Sequence, residues 1–375
     1  GPPPPGTEPR PMAALRAALV CRALLPAAGL GLQRAPRGPL ADHGGPWLAV
    51  DALDPDEVAY LYQSLQPQLP PQLPPQPSVS PLLPPLSMPP ALDHGLAFIK
   101  VPKVGGSTFG GVVRRVGARH GLEHASHAYW LQKDRDEPKT PAVWANHGRR
   151  SRIAGDLSTR MPGSFMVTLL RNPVERCLSS FYFEDVTRKG QQPTEQNKLD
   201  YIRNDTRCPA DYMASYIRPG EELAPAALLA AYDFVGLTER FEESVLLLGR
   251  KLGVKQTDLL YLKAKESGKN ATDWPHTERM ARHPPLSEEP VAVQEAVKKF
   301  EGGADAELVR EVYRSLDEAV ARHGAGFQED LAKFRRRLDL VEQKCRSQFF
   351  SDCLWDDNGC GQQCIDELIE VQGWD

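Results

Sequence analysis

The sequence predicts an α/β fold, a parallel sheet flanked by helices, because three strand–turn–helix units follow one another along the chain. Each unit is a short apolar run, closed by a polar or glycine-bearing turn and continued by a segment of helical periodicity. Two of the turns also carry cationic or hydroxyl side chains at a helix start, where backbone N–H groups favour an anion.

In the first unit, residues 96–101 are apolar and bounded by Gly95 and Pro102, as a buried strand requires. Residues 108–119 then read as a helix, with Gly110 and Gly111 allowing close packing against the sheet. The second unit has a strand over 165–170. Asn172 is placed to cap the next helix, Pro173 to open it, and Glu175 to complete an N-x-x-E capping box, the helix running to about Thr187. The third has a strand over 232–237 and a helix over 239–252, its apolar face at Phe241, Val245, Leu248 and Leu252. Residues 290–346 read as mostly helical, with turns at Gly302-Gly303 and Gly324.

The flanks are of another character. There are 35 prolines, and between Glu57 and Asp93 no residue is charged, so 66–95 reads as an extended, semi-rigid stem. Before it, Asp54 and Pro55 start a short helix within 46–65. Residues 1–45 read as a targeting or anchor region, expected to be largely disordered. Its Ala- and Leu-rich run over 12–32 is broken by Arg22 and Pro26, which makes it a poor membrane span. The α/β domain covers 96–344, and 345–375 is an acidic tail carrying Cys345, Cys353, Cys360 and Cys364. Two disulfides there, in any of three pairings, imply an oxidising compartment, whereas Cys21, Cys177 and Cys208 are dispersed. Asn204 and Asn270 stand in glycosylation acceptor triplets. No zinc spacing or complete calcium loop occurs, and no metal site is expected at His120, His124 and His127.

The formal net charge of −4 gives no general reason for nucleic-acid binding, so a basic anion site must be local. The first turn offers one: Lys103, Val104, Gly105, Gly106, Ser107 and Thr108 wrap a helix start. It is not a Walker A loop, because Lys103 precedes the glycines; that argues against a P-loop kinase. The second turn offers the planar fork of Arg171, with the Ser179 hydroxyl two helical turns on. Both turns lie beyond the carboxyl ends of strands, where ligands of such sheets bind. Two anion sites in one domain suit a ligand with two separate phosphates.

Together, Pro102-Lys103-Val104-Gly105-Gly106-Ser107-Thr108 and Leu170-Arg171-Asn172-Pro173-Val174-Glu175-Arg176, followed by Ser179 and Phe181-Tyr182, resemble the Golgi carbohydrate sulfotransferases. The uronosyl (heparan sulfate) 2-O-sulfotransferase and galactose 3-O-sulfotransferase branches are the most similar. The segment from Tyr232 to Ser244 resembles a later stretch of the same group, so the likeness spans roughly 96–286. Many relatives have Asp where this chain has Asn172.

The resemblance implies a P-loop-like sulfotransferase domain with a helical, cysteine-bearing extension. It implies 3′-phosphoadenosine-5′-phosphosulfate as donor, no metal, a glycan acceptor and a lumenal Golgi enzyme, possible membrane anchoring being left to the N-terminus. Lys103 and the loop 104–108 would bind the 5′-phosphosulfate, with Lys103 also catalytic; Arg171 and Ser179 would bind the 3′-phosphate. His147, one of nine histidines, becomes the candidate base, since it lies between the two motifs and histidine is the side chain whose unperturbed pKa suits proton transfer near neutrality. Lys269 becomes a contact from a loop closing over the nucleotide, a reading in competition with glycosylation at Asn270. Arg149, Arg150 and Arg152 are either a solvated run or a reader of anionic glycan. A non-catalytic glycan- or nucleotide-binding relative is the remaining alternative.

Overall fold

Leu96, Ala97, Phe98 and Ile99 are all fully buried and form the central strand, β1 (Leu96–Ile99). This computed structural model divides the chain into two units, Gly1–Pro74 and Pro75–Asp375. The structure describes residues 87–125, 142–220, 223–264, 281–348 and 359–374, all within the second. The expected helix within 46–65, most of the proline-rich stem, Lys269, Asn270 and Cys353 lie outside the described residues.

From β1 the chain continues through α1 (Gly106–Arg119), β2 (Glu123–Ala125), β3 (Ala142–Asn146), α2 (Arg150–Arg160), β4 (Phe165–Leu170) and α3 (Pro173–Phe181). Short helices follow: α4 (Glu195–Arg203), α5 (Tyr212–Ile217) and α6 (Pro225–Ala230). Then come β5 (Phe234–Leu237), α7 (Phe241–Leu252), α8 (Val291–Ala296), α9 (Ala304–His323), α10 (Ala325–Cys345) and α11 (Gln362–Gln372). The sheet has the order β2-β3-β1-β4-β5, and each of its four pairings is parallel. After β3 the chain crosses over β1 to reach β4. The strand order therefore changes direction around β1, which is where such sheets open a ligand crevice.

Packing follows from the apolar strand faces. Phe98 of β1 meets Phe109 of α1 at 4.9 Å between ring centroids, Phe109 meets Phe241 of α7 at 6.0 Å, and Phe241 meets Tyr261 at 5.4 Å. This aromatic chain fixes the loop after β1 between two helices. Each fully buried ring contributes roughly 1.5–3 kcal/mol.

Several expectations are corrected. Strand β1 ends at Ile99 rather than 101 and α1 begins at Gly106, because the turn is tighter than the apolar run suggests. Packing starts before Leu96: Leu92 is fully buried, and Ser87 accepts a hydrogen bond from His120 at 3.0 Å. The close approach of α1 to the sheet is made at Gly117, where a Cβ would come 2.2 Å from Val143; Gly111 instead faces Gly359 of the tail. The helix α3 does not reach Thr187. It gives way after Phe181 to a π-helical turn, Tyr182–Arg188.

In the tail, Cys345 bonds Cys364, one of the pairings left open, and Cys360 is also disulfide-bonded. Cys177 and Cys208, dispersed in sequence, form a further disulfide, because α3 and the turn after α4 share a small apolar core with Phe181, Leu199 and Phe300. Asp366 of α11 pairs with Arg115 of α1 at 2.6 Å, both side chains being buried.

A second buried carboxylate, Asp258, receives Arg119 at 3.3 Å and His120 at 3.3 Å. Burial alone would raise the pKa of this carboxyl, but the hydrogen bonds and charges of His120 and Arg119 hold it below the usual value. Its stabilising contribution is thus present above the unfolded aspartate pKa of about 3.9 and is lost as pH falls through the lower folded value. Thermal unfolding followed between pH 5 and pH 2 should accordingly show a smaller acid-induced loss in Asp258→Asn than in the wild type.

Candidate functional site

The sheet order sets three site residues, far apart in sequence, in a row. His147 follows β3, Lys103 lies in the loop after β1, and Arg171 follows β4, at the carboxyl ends of adjacent strands. Neighbouring strands lie about 4.8 Å apart, so their ends lie side by side.

The loop after β1 has the backbone of an anion cradle. Lys103 has φ 67° and Gly105 φ 79°, both in the left-handed region. For the non-glycine Lys103 this costs of order 1–3 kcal/mol, a strain typical of ligand-binding turns. Gly105 precedes α1 without any side-chain cap, so the first-turn N–H groups of Gly106, Ser107 and Thr108 are not taken up by a capping side chain. The loop is tied down from the far strands. The Thr238 hydroxyl, just after β5, donates to the Val104 carbonyl at 2.6 Å and lies 3.0 Å from that of Leu170, and Arg171 donates to the Lys103 carbonyl at 3.2 Å.

The Lys103 ammonium lies 3.6 Å from the centroid of the Phe183 ring, a cation–π contact supplied by the π-helical turn. The buried stem of Lys100 runs beneath the loop, so close to Gly106 that a Cβ there would lie 2.8 Å from Lys100 Cγ. The Thr108 hydroxyl accepts from the Ala264 N–H at 2.9 Å, and a hydroxyl that accepts keeps its own proton to donate. Ser107 is half-buried at the cradle.

His147 is exposed at the end of β3, and its ring is oriented by a backbone contact: Nδ1 lies 2.9 Å from the Lys100 carbonyl. A carbonyl can only accept, so Nδ1 carries the proton and Nε2 carries the lone pair of the neutral ring. Behind it, Gly148 donates to the Tyr216 hydroxyl at 2.8 Å, Arg149 to Ser215 at 3.1 Å, and Arg150 to the Ala231 carbonyl at 2.8 Å. Two of the three arginines after His147 are thus held against α5 and the turn after α6, while Arg152 is exposed on α2.

Arg171 is mostly buried, with 19% of its side chain exposed, and its fork holds Glu175 at 3.3 Å. Burial lowers the guanidinium pKa, and Glu175 opposes that shift. Asn172 caps α3 as expected, accepting from Val174 at 2.9 Å and Glu175 at 3.3 Å. The second half of the capping box is different. The Asn172 N–H goes to Glu239, beyond β5, at 2.8 Å, which leaves the Glu175 carboxylate to Arg171. Ser179 lies half-buried on α3; Ser180 beside it accepts from Tyr201 at 2.9 Å.

A model of the sulfotransferase family matches residues 91–314, which include every residue of this row and the whole sheet. The chain belongs to that family. A search of characterised proteins finds no match to it. In this member of the family, the loop after β1, the Arg171 fork after β4 and the His147 imidazole after β3 stand side by side at the carboxyl ends of adjacent strands.

Lys100, Thr238 and Glu239 are the contributors that sequence reasoning missed. For Lys100 a signal existed, a lysine closing an apolar strand run. Thr238 and Glu239 stood in the segment similar to the family, but nothing local tied them to loops more than sixty residues away. Among the described residues, no group of three or more His, Cys, Asp or Glu side chains is arranged to hold a metal ion, and no helix is long and apolar enough to cross a membrane.

Proposed function

We propose that the chain transfers a sulfuryl group from 3′-phosphoadenosine-5′-phosphosulfate to a carbohydrate hydroxyl, in the lumen of the Golgi. What carries this reading is the row of His147, Lys103 and Arg171 at three adjacent strand ends, with a strained, uncapped cradle on one side and a buried guanidinium fork on the other. A divided nucleotide with phosphate groups at both ends fits that pair of sites.

The donor, when bound, supplies the activated sulfuryl group and a phosphate leaving group. Lys103 and the N–H groups at the start of α1 face the charge that develops on that leaving group; preorganised donors of this kind are each worth about 10²–10³ in rate. Arg171, with Ser179, holds the 3′-phosphate in the bidentate geometry that guanidinium favours. His147 takes the acceptor proton at Nε2 as the hydroxyl oxygen attacks, and its Nδ1–H bond to the Lys100 carbonyl keeps the ring in that tautomer. An anionic glycan acceptor suits Arg152 and the arginines beside it. A lumenal location is supported by the disulfides Cys177–Cys208 and Cys345–Cys364 and by exposed Asn204 in its acceptor triplet.

The test is binding to immobilised adenosine 3′,5′-bisphosphate, together with transfer of labelled sulfate to a glycan panel. The wild type should bind and transfer. Lys103→Ala should retain binding more weakly and lose about 10²–10³ in rate, whereas Arg171→Ala should lose retention on the nucleotide. Normal retention of both variants would sink the donor assignment.

A further inference from the structure

The Glu175 carboxylate sits between two partners. Its Oε2 lies 3.3 Å from Arg171 Nη2 and 3.8 Å from His283 Nδ1. The first is an ion pair; the second is a contact too long for a hydrogen bond. His283 is held in place: its ring packs on Tyr182 at 5.2 Å between centroids, and its side chain is only 10% exposed. Tyr182 is itself fixed, its hydroxyl donating to Glu289 at 2.9 Å, and Glu289 pairs with Lys198 of α4 at 2.5 Å. The fork of Arg171 is therefore already filled by a carboxylate of its own chain, and a histidine waits on that carboxylate's other side.

We propose that Glu175 is a placeholder anion: a phosphate entering the Arg171 fork displaces it, and Glu175 passes to His283, the pair taking up one proton from solvent. This rests on the reading of Arg171 as the 3′-phosphate site. The balance is simple. Arg171 exchanges one anionic partner for another, and the only bond that forms is the one to the proton taken from solvent. The carboxylate, having lost its cation beside an incoming dianion, is neutralised by the proton it comes to share with the imidazole.

The surrounding charges fit this exchange. Burial, then the cations Arg171, Lys103 and Lys198, hold the His283 ring neutral, its pKa pulled down to about 4. Burial also raises the Glu175 carboxyl, with Arg171 opposing the shift and Glu239 and Glu289 reinforcing it. A phosphate dianion neutralises the two cations of the crevice that suppress His283, Arg171 and Lys103, and it repels the ionised form of Glu175. Both groups then bind protons more readily. Since the complex holds the extra proton, binding tightens as pH falls through the window above the free His283 value.

The experiment is calorimetric titration of adenosine 3′,5′-bisphosphate into wild type, His283→Gln and Glu175→Gln, near pH 7, in buffers of different ionisation enthalpy. Any proton shed by the phosphate itself is common to all three, so the difference between wild type and variants counts the proton of the pair. We expect a difference approaching one proton in both variants. Glu175→Gln should also bind about two- to fivefold more tightly, the worth of a partly exposed ion pair no longer in competition. Equal proton uptake in wild type and His283→Gln, or weaker binding by Glu175→Gln, overturns the handover while leaving the donor reading intact. Absence of nucleotide binding by the wild type, or unchanged binding by Arg171→Ala, overturns the donor reading and the handover with it.

Discussion

Replacing His147 by alanine should lower the rate of sulfuryl transfer by about 10²–10⁴-fold, the usual contribution of a positioned general base, with little change in nucleotide affinity. The ring lies at the end of β3, one strand from the Lys103 loop, and its Nδ1 is committed to the Lys100 carbonyl 2.9 Å away. That contact could be structural alone, and a second variant separates the two roles. In His147→Asn the amide nitrogen can still donate to the Lys100 carbonyl, but no atom remains to accept a proton. Asparagine should therefore be as inactive as alanine, and the acid side of the pH–rate profile, where a histidine base is protonated, should flatten in both. An asparagine variant with wild-type turnover would remove His147 from the chemistry.

The second large effect is on stability. Asp366→Ala should destabilise the domain by about 3–5 kcal/mol, because it strands the Arg115 guanidinium where water does not reach. Burial already lowers the Arg115 pKa, and the charge and hydrogen bond of Asp366 are what oppose it. Arg115 is on α1, the helix whose first turn forms the cradle, and Asp366 is on α11, which the Cys345–Cys364 disulfide ties to α10. Ile365, Leu368 and Ile369 bury the same helix, so the tail is part of the core and not an appendage. The shift is read from the urea midpoint at constant slope. Replacing both partners with apolar residues of similar volume, as in Arg115→Met with Asp366→Leu, should recover much of the loss; no recovery would mean that the ion pair is not its source. Weaker nucleotide retention in the single variant would show that the tail steadies the loop.

Much of the candidate site's local backbone was legible in the sequence. The strands over 165–170 and from Leu96, the cap at Asn172 and the glycines of the cradle are local signals, carried by apolar runs and by residues that suit a helix start. The sequence likewise located Lys103 and Arg171 near strand ends, because each follows an apolar run, whereas the strand that ends before His147 was not read from it. The π-helical turn was not legible, since the periodicity through Tyr182 and Phe183 fits a continuing α-helix. That turn brings Phe183 under Lys103 and Tyr182 under His283.

By itself, then, the sequence determined the fold class, the two polar turns at helix starts and the family resemblance, all of which reside in contiguous segments. Tertiary structure alone decided that β3 and β4 flank β1, so that His147, Lys103 and Arg171 stand in one row at adjacent strand ends. It also decided the Cys177–Cys208 bridge, the Arg115–Asp366 pair and the exchange of capping partners that gives Asn172 to Glu239 and Glu175 to Arg171. The reason is physical. Strand order and buried pairing are set by contacts between residues distant in the chain, and such contacts leave no periodic trace in the segments that make them.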